Sequence, residues 1–279
     1  MYFNQNKVYL TQELYYTISR IGKRVILAPC DELKKAQRYL KTAINWVYPL
    51  KMSTFKVAKI HCGKKYVLKM DIKDFYGSVP YEYIEKVVKN TCKKIKNADV
   101  NYYLMITTLN GKLPTGAPTS AHIANASFSP IDKRIRDYSL MLGVDYSRYM
   151  DDMIFSSDDK YFLNMIEKFV QKTLTNFGYN LNDKKTKYIS DNKQQNVLGV
   201  VVNNKDVRLP KTLRKKLRAM IHSYSVYQSS GAKEIDLKFR TWDEKSIAKL
   251  KGYLAYTKQV DEKSYNKLMH YAKSLNVNL

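Results

Sequence analysis

Three carboxylates stand where an acidic metal-binding set would stand. Asp71 closes the apolar run Tyr66-Val67-Leu68-Lys69-Met70, and Asp151 and Asp152 follow eighty residues later in Tyr149-Met150-Asp151-Asp152-Met153. Residues 66–72 read as a strand that stops at a carboxylate. The later segment is a tight turn between alternating stretches over residues 145–157, which predicts a hairpin. If these strands are neighbours, their carboxylates meet at one edge of a sheet. Like charges packed together are costly unless a cation neutralises them. Hard oxygen ligands of this kind suit Mg²⁺, which keeps waters and shares phosphate oxygens. Two such ions about 3.5–4 Å apart can hold the attacking and leaving oxygens of an in-line displacement. Alone, an Asp-Asp pair reads as an ordinary hairpin turn, so the surrounding sequence has to decide.

The charge balance points to a polyanionic partner. Lys and Arg number 49 against 25 Asp and Glu, a net charge of +24 spread along 279 residues. In a protein this basic, the natural substrate of two-metal chemistry is a nucleotide. A hydrophobic content of 44% is enough for a real core and excludes a disordered chain. No stretch approaches the roughly 20 apolar residues of a membrane span, so no membrane partner is expected. The start of the sequence has no basic region followed by an apolar run, which predicts a cytoplasmic protein. Cys30, Cys62 and Cys92 are scattered, with no CxxC pair for zinc or a disulfide framework. His61, His122, His222 and His270 have no partners at metal or triad spacing, and Ser78 and Ser120 lack a His-Asp arrangement. Hydrolase chemistry gains nothing from them. The 24 tyrosines can pack in a core or stack on bases, and the sequence allows both.

The expected fold class is α+β. Apolar residues at Leu33, Ala36, Leu40, Ile44 and Val47 predict a helix over 31–50, capped by Asp31. Helices are also expected over 81–96, 119–142 and 158–177, the last ended by Gly178. Residues 187–203 predict two short strands. Past Asn204 the composition turns to Lys-rich helices, and 204 is the best candidate boundary. Lys211, Arg214, Lys215, Lys216 and Arg218 are five basic residues in eight. Such a cluster can be a solvated face, but it favours a phosphate-backbone track.

Taken together, three motifs resemble those of reverse transcriptases. The hairpin Tyr149-Met150-Asp151-Asp152 has the YxDD form of right-hand polymerases that copy RNA. Asp71-Ile72-Lys73-Asp74-Phe75-Tyr76-Gly77-Ser78-Val79 is similar to the first palm motif, and Leu113-Pro114-Thr115-Gly116-Ala117-Pro118-Thr119-Ser120 to the loop between the two. Residues 24–40, Asn182-Asp183-Lys184-Lys185-Thr186 and 197–203 resemble the fingers, the NxxKT motif and the following hairpin of bacterial retron enzymes. The sequence departs from the retron pattern at residues 57–61, at Thr115 and at Val197-Leu198-Gly199.

The resemblance implies a right-hand polymerase: an antiparallel palm sheet backed by helices, with fingers and a small helical thumb. Fingers would take residues 1–65 with 81–115 inserted from the palm, the palm 66–203, and a basic thumb 204–279. Asp71, Asp151 and Asp152 would hold two Mg²⁺ ions, with the Ile72 carbonyl added. Lys73, Asp74, Phe75 and Tyr76 would lie under the incoming dNTP, and the Tyr76 ring would block a ribose 2′-hydroxyl, the alternative being a core aromatic at the end of a strand. Arg20 and Arg24, in a fingers turn, would clamp the triphosphate. Gly116 and Ala117 would line the nascent pair, and Lys185 is a candidate general acid for the departing pyrophosphate. Leu198 and Gly199 would form a primer grip. Implied partners are a structured noncoding RNA serving as template and primer, an RNA–DNA hybrid product, dNTPs and an effector protein in bacterial anti-phage defence. Two other functions fit the same residues: a defence polymerase making untemplated or protein-primed DNA, and an RNA-binding scaffold that restrains a toxin.

Overall fold

The computed structural model describes residues 3–4, 6–22, 24–48, 53–230 and 242–277. Its elements run β1 (Phe3–Asn4), β2 (Lys7–Tyr9), β3 (Tyr15–Ile21), β4 (Arg24–Pro29), α1 (Asp31–Val47), α2 (Thr54–Lys59) and β5 (Tyr66–Asp71). They continue with α3 (Tyr81–Cys92), α4 (Val100–Thr107), α5 (Ser120–Met141), β6 (Asp145–Tyr149), β7 (Asp152–Ser157) and α6 (Lys160–Asn176). The remainder is β8 (Lys187–Ser190), β9 (Asn196–Val197), β10 (Val200–Val201), α7 (Lys211–Ser230), α8 (Glu244–Val260) and α9 (Glu262–Ser274). The fold class is α+β. Two compact units divide the chain: residues 1–52 with 68–188, and residues 53–67 with 189–279.

In the first unit a four-stranded sheet runs β1-β2-β3-β4, antiparallel throughout. Its β3–β4 hairpin pairs Arg20 with Val25 and Ile21 with Arg24. Helix α1 buries Leu33, Gln37, Leu40 and Ile44, the stripe expected from spacing. Its last expected residues, 49–50, lie outside the described residues. Asp31 is not the cap, however. Cys30 is the N-cap residue and makes no side-chain cap bond, while Asp31 and Glu32 lie in the first turn, where a negative charge meets the positive end of the helix dipole. Gln37 is fully buried and donates to the Tyr16 hydroxyl (2.7 Å) and the Ile106 carbonyl (2.6 Å), tying the hairpin sheet to α1 and α4.

The second sheet has the order β6-β7-β5-β8. Strand β7 is buried at five successive positions, Met153 to Ser157, as a central strand covered on both faces must be. Helix α5 lies against α3, α6 and β6 and buries Ile123, Ala124, Phe128, Ile131 and Ile135. Helix α6 ends before Gly178, whose φ of +78° suits a residue without Cβ.

In the second unit α7, α8 and α9 share a core of Leu217, Ile221, Leu250, Leu254, Leu268 and Ala272. Asp261 caps α9, accepting bonds from the Ser264 N–H and hydroxyl and from the Leu209 N–H. Residues 187–203 hold three short strands, β8, β9 and β10, where two were expected. A buried side-chain amide fixes this region: Gln195 Nε2 donates to the carbonyls of Lys64 (3.0 Å) and Lys65 (3.2 Å). The Asp191 N–H donates to Lys65 and the Gly63 N–H to Val202, both at 2.9 Å.

Candidate active site

Asp71 is the last residue of β5 and only 4% exposed. The next backbone N–H, of Ile72, donates to the Asp151 carbonyl at 3.0 Å. That one bond brings the end of β5 beside the β6–β7 turn, as expected if the two strands were neighbours. In the turn, Tyr149 pairs with Asp152, leaving Met150 and Asp151 as the connecting residues. Met150 has φ +55°, a left-handed conformation that a side chain disfavours. On the other side of Asp71, the Asn182 N–H donates to the Asp71 carbonyl (2.8 Å) and the Lys73 N–H to Asn180 (2.9 Å). Residues 71–73 are therefore held from both sides by non-local backbone bonds.

The chain then folds tightly over residues 74–78. Asp74 has φ +46° and its carbonyl accepts from the Ser78 N–H at 2.8 Å. A Cβ at Gly77 would meet the Asp74 carboxylate, which would have to swing aside. Phe75 is buried and packs edge-on against Phe128.

These segments wall a cavity of about 600 Å³, a size that suits a nucleotide. Arg24, Asp71, Ile72, Lys73, Asp74, Phe75, Tyr76, Asp151 and Lys185 all line it. Lys112 and Asn182 line it too, and the reading of the sequence did not select them. A lysine in a loop carries no signal of its own, whereas Asn182 stood inside a recognised motif. Arg20, Gly116, Ala117 and Asp152 lie outside the lining. Arg20 occupies the rung next to Arg24 in the β3–β4 ladder. Gly116 (φ +116°) sits behind the wall: a Cβ there would meet the Leu27 carbonyl oxygen at 2.7 Å, and Leu27 N–H donates to the Thr115 carbonyl at 2.7 Å. Ala117 belongs to the core beside Tyr16 and Leu33.

The acidic residues feel one another. Burial raises the Asp152 carboxyl above its ordinary pKa, the charges of Asp151 and Asp71 add to the rise, and Lys69 and Lys185 oppose it. Tyr76 is raised by burial and then by Asp151 and Tyr149, with Arg24 opposing. Its phenol thus stands between the acidic turn and the cationic hairpin. Lys185 Nζ contacts both oxygens of Asp71, at 2.5 and 3.0 Å. The donor chemistry fits a divalent cation: hard oxygens, close enough to repel one another. Among the described residues no three His, Cys, Asp or Glu side chains converge as a metal-holding group, and at Asp71 the ammonium of Lys185 supplies the positive charge.

The remaining expected residues belong to the second unit. Leu198 (φ +48°) and Gly199 (φ +89°) form the two-residue turn between β9 and β10. Lys211, Arg214, Lys215, Lys216 and Arg218 are all exposed on α7. Two of them stack on rings of the neighbouring helices: Lys216 over Tyr253 (5.4 Å) and Arg218 over Tyr271 (4.1 Å). Arg214 also lines a cavity of about 460 Å³ with Arg208, Lys263, Ser264, Asn266 and Lys267. Of those partners, Lys263, Ser264, Asn266 and Lys267 lie some fifty residues from α7's basic cluster in sequence and carry no motif, while Arg208 stands just before the cluster. No helix among the described residues is long and apolar enough to cross a membrane.

An antiparallel sheet with a YxDD turn beside a strand-terminal aspartate, backed by helices, defines a right-hand polymerase. A family model described as reverse transcriptase (RNA-dependent DNA polymerase) matches residues 19–202, and the chain belongs to that family of RNA-directed DNA polymerases. It is 26% identical to the retron Ec86 reverse transcriptase of Escherichia coli over 282 residues, covering 93% of this chain and 80% of that protein. It is 26% identical to the retron Mx65 reverse transcriptase of Myxococcus xanthus, covering 88% of this chain and 60% of that protein. Two solved structures have the same fold over 93% of this chain. They are the foamy viral protease–reverse transcriptase in complex with double-stranded DNA (TM-score 0.53, 14% identity, 42% of that chain) and the Candida albicans telomerase with a fragment of telomeric RNA (TM-score 0.52, 12% identity, 57% of that chain). Enzymes of this family generally use divalent metal ions.

Proposed function

We infer that the chain is a retron-type reverse transcriptase that copies a dedicated structured noncoding RNA into DNA and serves in bacterial anti-phage defence with an effector protein. The observation that carries the polymerase chemistry is the cavity lined by the carboxylates of Asp71 and Asp151 together with the cations of Arg24, Lys73, Lys112 and Lys185. It matches a triphosphate in charge and a nucleotide in size. Similarity to retron enzymes of two bacteria supports the choice of template. In this reading residues 1–65 with 81–115 act as fingers, 66–203 as palm and 204–279 as thumb.

The incoming dNTP lies in the cavity with its phosphates over the N–H groups of Asp74 and Phe75, because backbone amides of a tight turn bind anionic oxygens well. Arg24 and Lys73 neutralise the phosphates, with Arg20 added from the same hairpin. The Tyr76 ring occupies the place of a ribose 2′-hydroxyl and so selects deoxynucleotides, while Gly116 and Ala117 shape the wall behind the new base pair. Asp71, Asp151 and Asp152 would hold two Mg²⁺ ions, which would supply activation of the attacking hydroxyl and neutralisation of the leaving oxygen. The hydroxyl of the growing strand, initially a 2′-hydroxyl of the RNA, forms a bond to the α-phosphorus as the bond to pyrophosphate breaks. Its proton goes to water, and Lys185 gives a proton to the departing pyrophosphate. Leu198 and Gly199 grip the primer, and the α7 cations follow the phosphates of the RNA–DNA hybrid. The protein's part is positioning and charge stabilisation, with no covalent intermediate.

The test is primer extension by the purified chain with its flanking transcript, Mg²⁺ and labelled dNTPs. Asp151→Asn with Asp152→Asn is expected to abolish the product; extension at the parental rate would refute the site. Sequencing the DNA tests the template: a copy of the transcript supports the reading, and random or homopolymeric DNA rejects it.

A further inference from the structure

The reading of the β6–β7 turn as catalytic leaves open what holds Asp151 at its angle, and this inference rests on that reading. The side chain of a residue points where its two flanking peptide planes send it. The plane after Asp151 is pinned by the Ile72 N–H on the Asp151 carbonyl, at 3.0 Å. The plane before it is pinned from elsewhere: Arg148 Nη1 donates to the Met150 carbonyl at 2.8 Å. Met150 is the left-handed residue of the turn, with φ +55°. Without a partner for its carbonyl, the 150–151 peptide is free to rotate about ψ of Met150 and φ of Asp151, and the Asp151 side chain turns with it.

Arg148 is unusually well fixed for this task. Its side chain is 4% exposed. Nε donates to Asp132 Oδ1 (2.9 Å), and Nη2 to Asp132 Oδ2 (2.5 Å) and Asn125 Oδ1 (2.9 Å). Its guanidinium carbon lies 4.6 Å from the centre of the Phe128 ring and 5.8 Å from that of Phe75. Asn125, Phe128 and Asp132 are spaced by three and four along α5 and share one face. Tyr146, two residues earlier on β6, adds its hydroxyl to Asp132 at 2.6 Å. With Nε and Nη2 engaged by α5, the guanidinium plane is fixed, and Nη1 is left aimed at the Met150 carbonyl.

We propose that Arg148 is the positioning residue of the active site: through the Met150 carbonyl it transmits the rigid face of α5 to the Asp151 carboxylate. Asp132 and Asn125 orient the guanidinium and act only through it.

The test uses the full chain with its transcript and measures single-nucleotide addition below the unfolding temperature. Removing Arg148 alone would leave the half-buried Asp132 without its cation, so the main variant is Arg148→Met with Asp132→Leu. The second is Arg148→Lys, which keeps a charge beside Asp132 but cannot reach the Met150 carbonyl at the same time. Both are expected to bind RNA and to keep the dNTP KM within about threefold, while kcat falls about 100-fold, the order expected when reacting groups are misplaced by about an ångström. Tyr146→Phe, which leaves the Met150 bond intact, is expected to lower the thermal midpoint without changing kcat. A folded Arg148 variant with parental kcat, in a preparation where Asp151→Asn is inactive, overturns this proposal alone. If Asp151→Asn itself extends normally, the catalytic reading of the turn fails instead.

Discussion

Replacing Lys185 by methionine should make the free protein bind a divalent cation more tightly. Lys185 Nζ holds both oxygens of Asp71 at 2.5 and 3.0 Å. Asp71 is almost fully buried, so its carboxylate depends on that contact, whereas the lysine side chain is 51% exposed. A hydrogen bond to a charged group is worth about 1.5–3 kcal/mol when buried. Solvent around the ammonium lowers that to about 1–2 kcal/mol. A cation approaching Asp71 has to displace the ammonium and forfeit that energy. Each 1.4 kcal/mol is about a factor of ten in affinity, so Lys185→Met should tighten Mn²⁺ binding about 5- to 30-fold. Methionine keeps the length and the apolar stem but carries no charge. Titration of the nucleic-acid-free protein with Mn²⁺, followed by electron paramagnetic resonance of the free ion, reads the affinity directly. The same variant should extend primers more slowly, since it lacks the proton donor. Unchanged or weaker Mn²⁺ binding would show that the ammonium does not compete for Asp71, and the reasoning would fail.

Tyr76→Ala opens the cavity wall beside Asp151 and should raise ribonucleotide incorporation relative to dNTPs about 10- to 100-fold; unchanged selectivity in a single-turnover competition would reject the gate. Gly116→Ala puts a Cβ 2.7 Å from the Leu27 carbonyl oxygen at φ +116°. Strain of this kind and loss of the Leu27–Thr115 bond should together destabilise the chain by about 2–4 kcal/mol in urea denaturation, and a loss under about 0.5 kcal/mol would disprove the close approach. Burial, with the charge of Lys64 added, lowers the His61 pKa to about 3. The unfolded chain takes up that proton near pH 6.5 and the folded chain does not. Stability from this group is therefore complete above pH 6.5 and falls by about 1.4 kcal/mol per pH unit toward pH 3. His61→Gln should flatten that slope between pH 6 and 4; parallel curves for variant and parent would refute the assignment.

The parts of the fold legible in the sequence were those with strong local signals. Leu33, Leu40 and Ile44 recur at helical spacing and do face the core from α1. Asp71 and Asp151 lie at a strand end and a turn, where alternation and turn chemistry put them. Residues 3–29 were not read as a sheet, because most of β3 and β4 is exposed or half-buried and its apolar pattern is diluted by Tyr, Ser and Arg. Helix α4 was missed because Val100-Asn101-Tyr102-Tyr103-Leu104-Met105-Ile106 is apolar nearly all round and has no face to detect. Its one usable signal was Asp99, whose carboxylate accepts from the N–H groups of Asn101 and Tyr102. In the site, contacts across long loops had no local trace. Lys185 reaches Asp71 over 114 residues of chain, and the α5 partners of Arg148 belong to no motif quoted from the sequence.

The clasp made by Gln195 has a consequence for the nascent chain. The carbonyls it engages, at Lys64 and Lys65, are 131 and 130 residues upstream. A ribosome adding about 5–20 residues per second takes roughly 6–26 s to deliver that partner. For all of that interval the stretch from Ser53 to Val67 has left or is leaving the exit tunnel without its anchor. Slower translation before residue 195 would lengthen its exposure to chaperones and proteases.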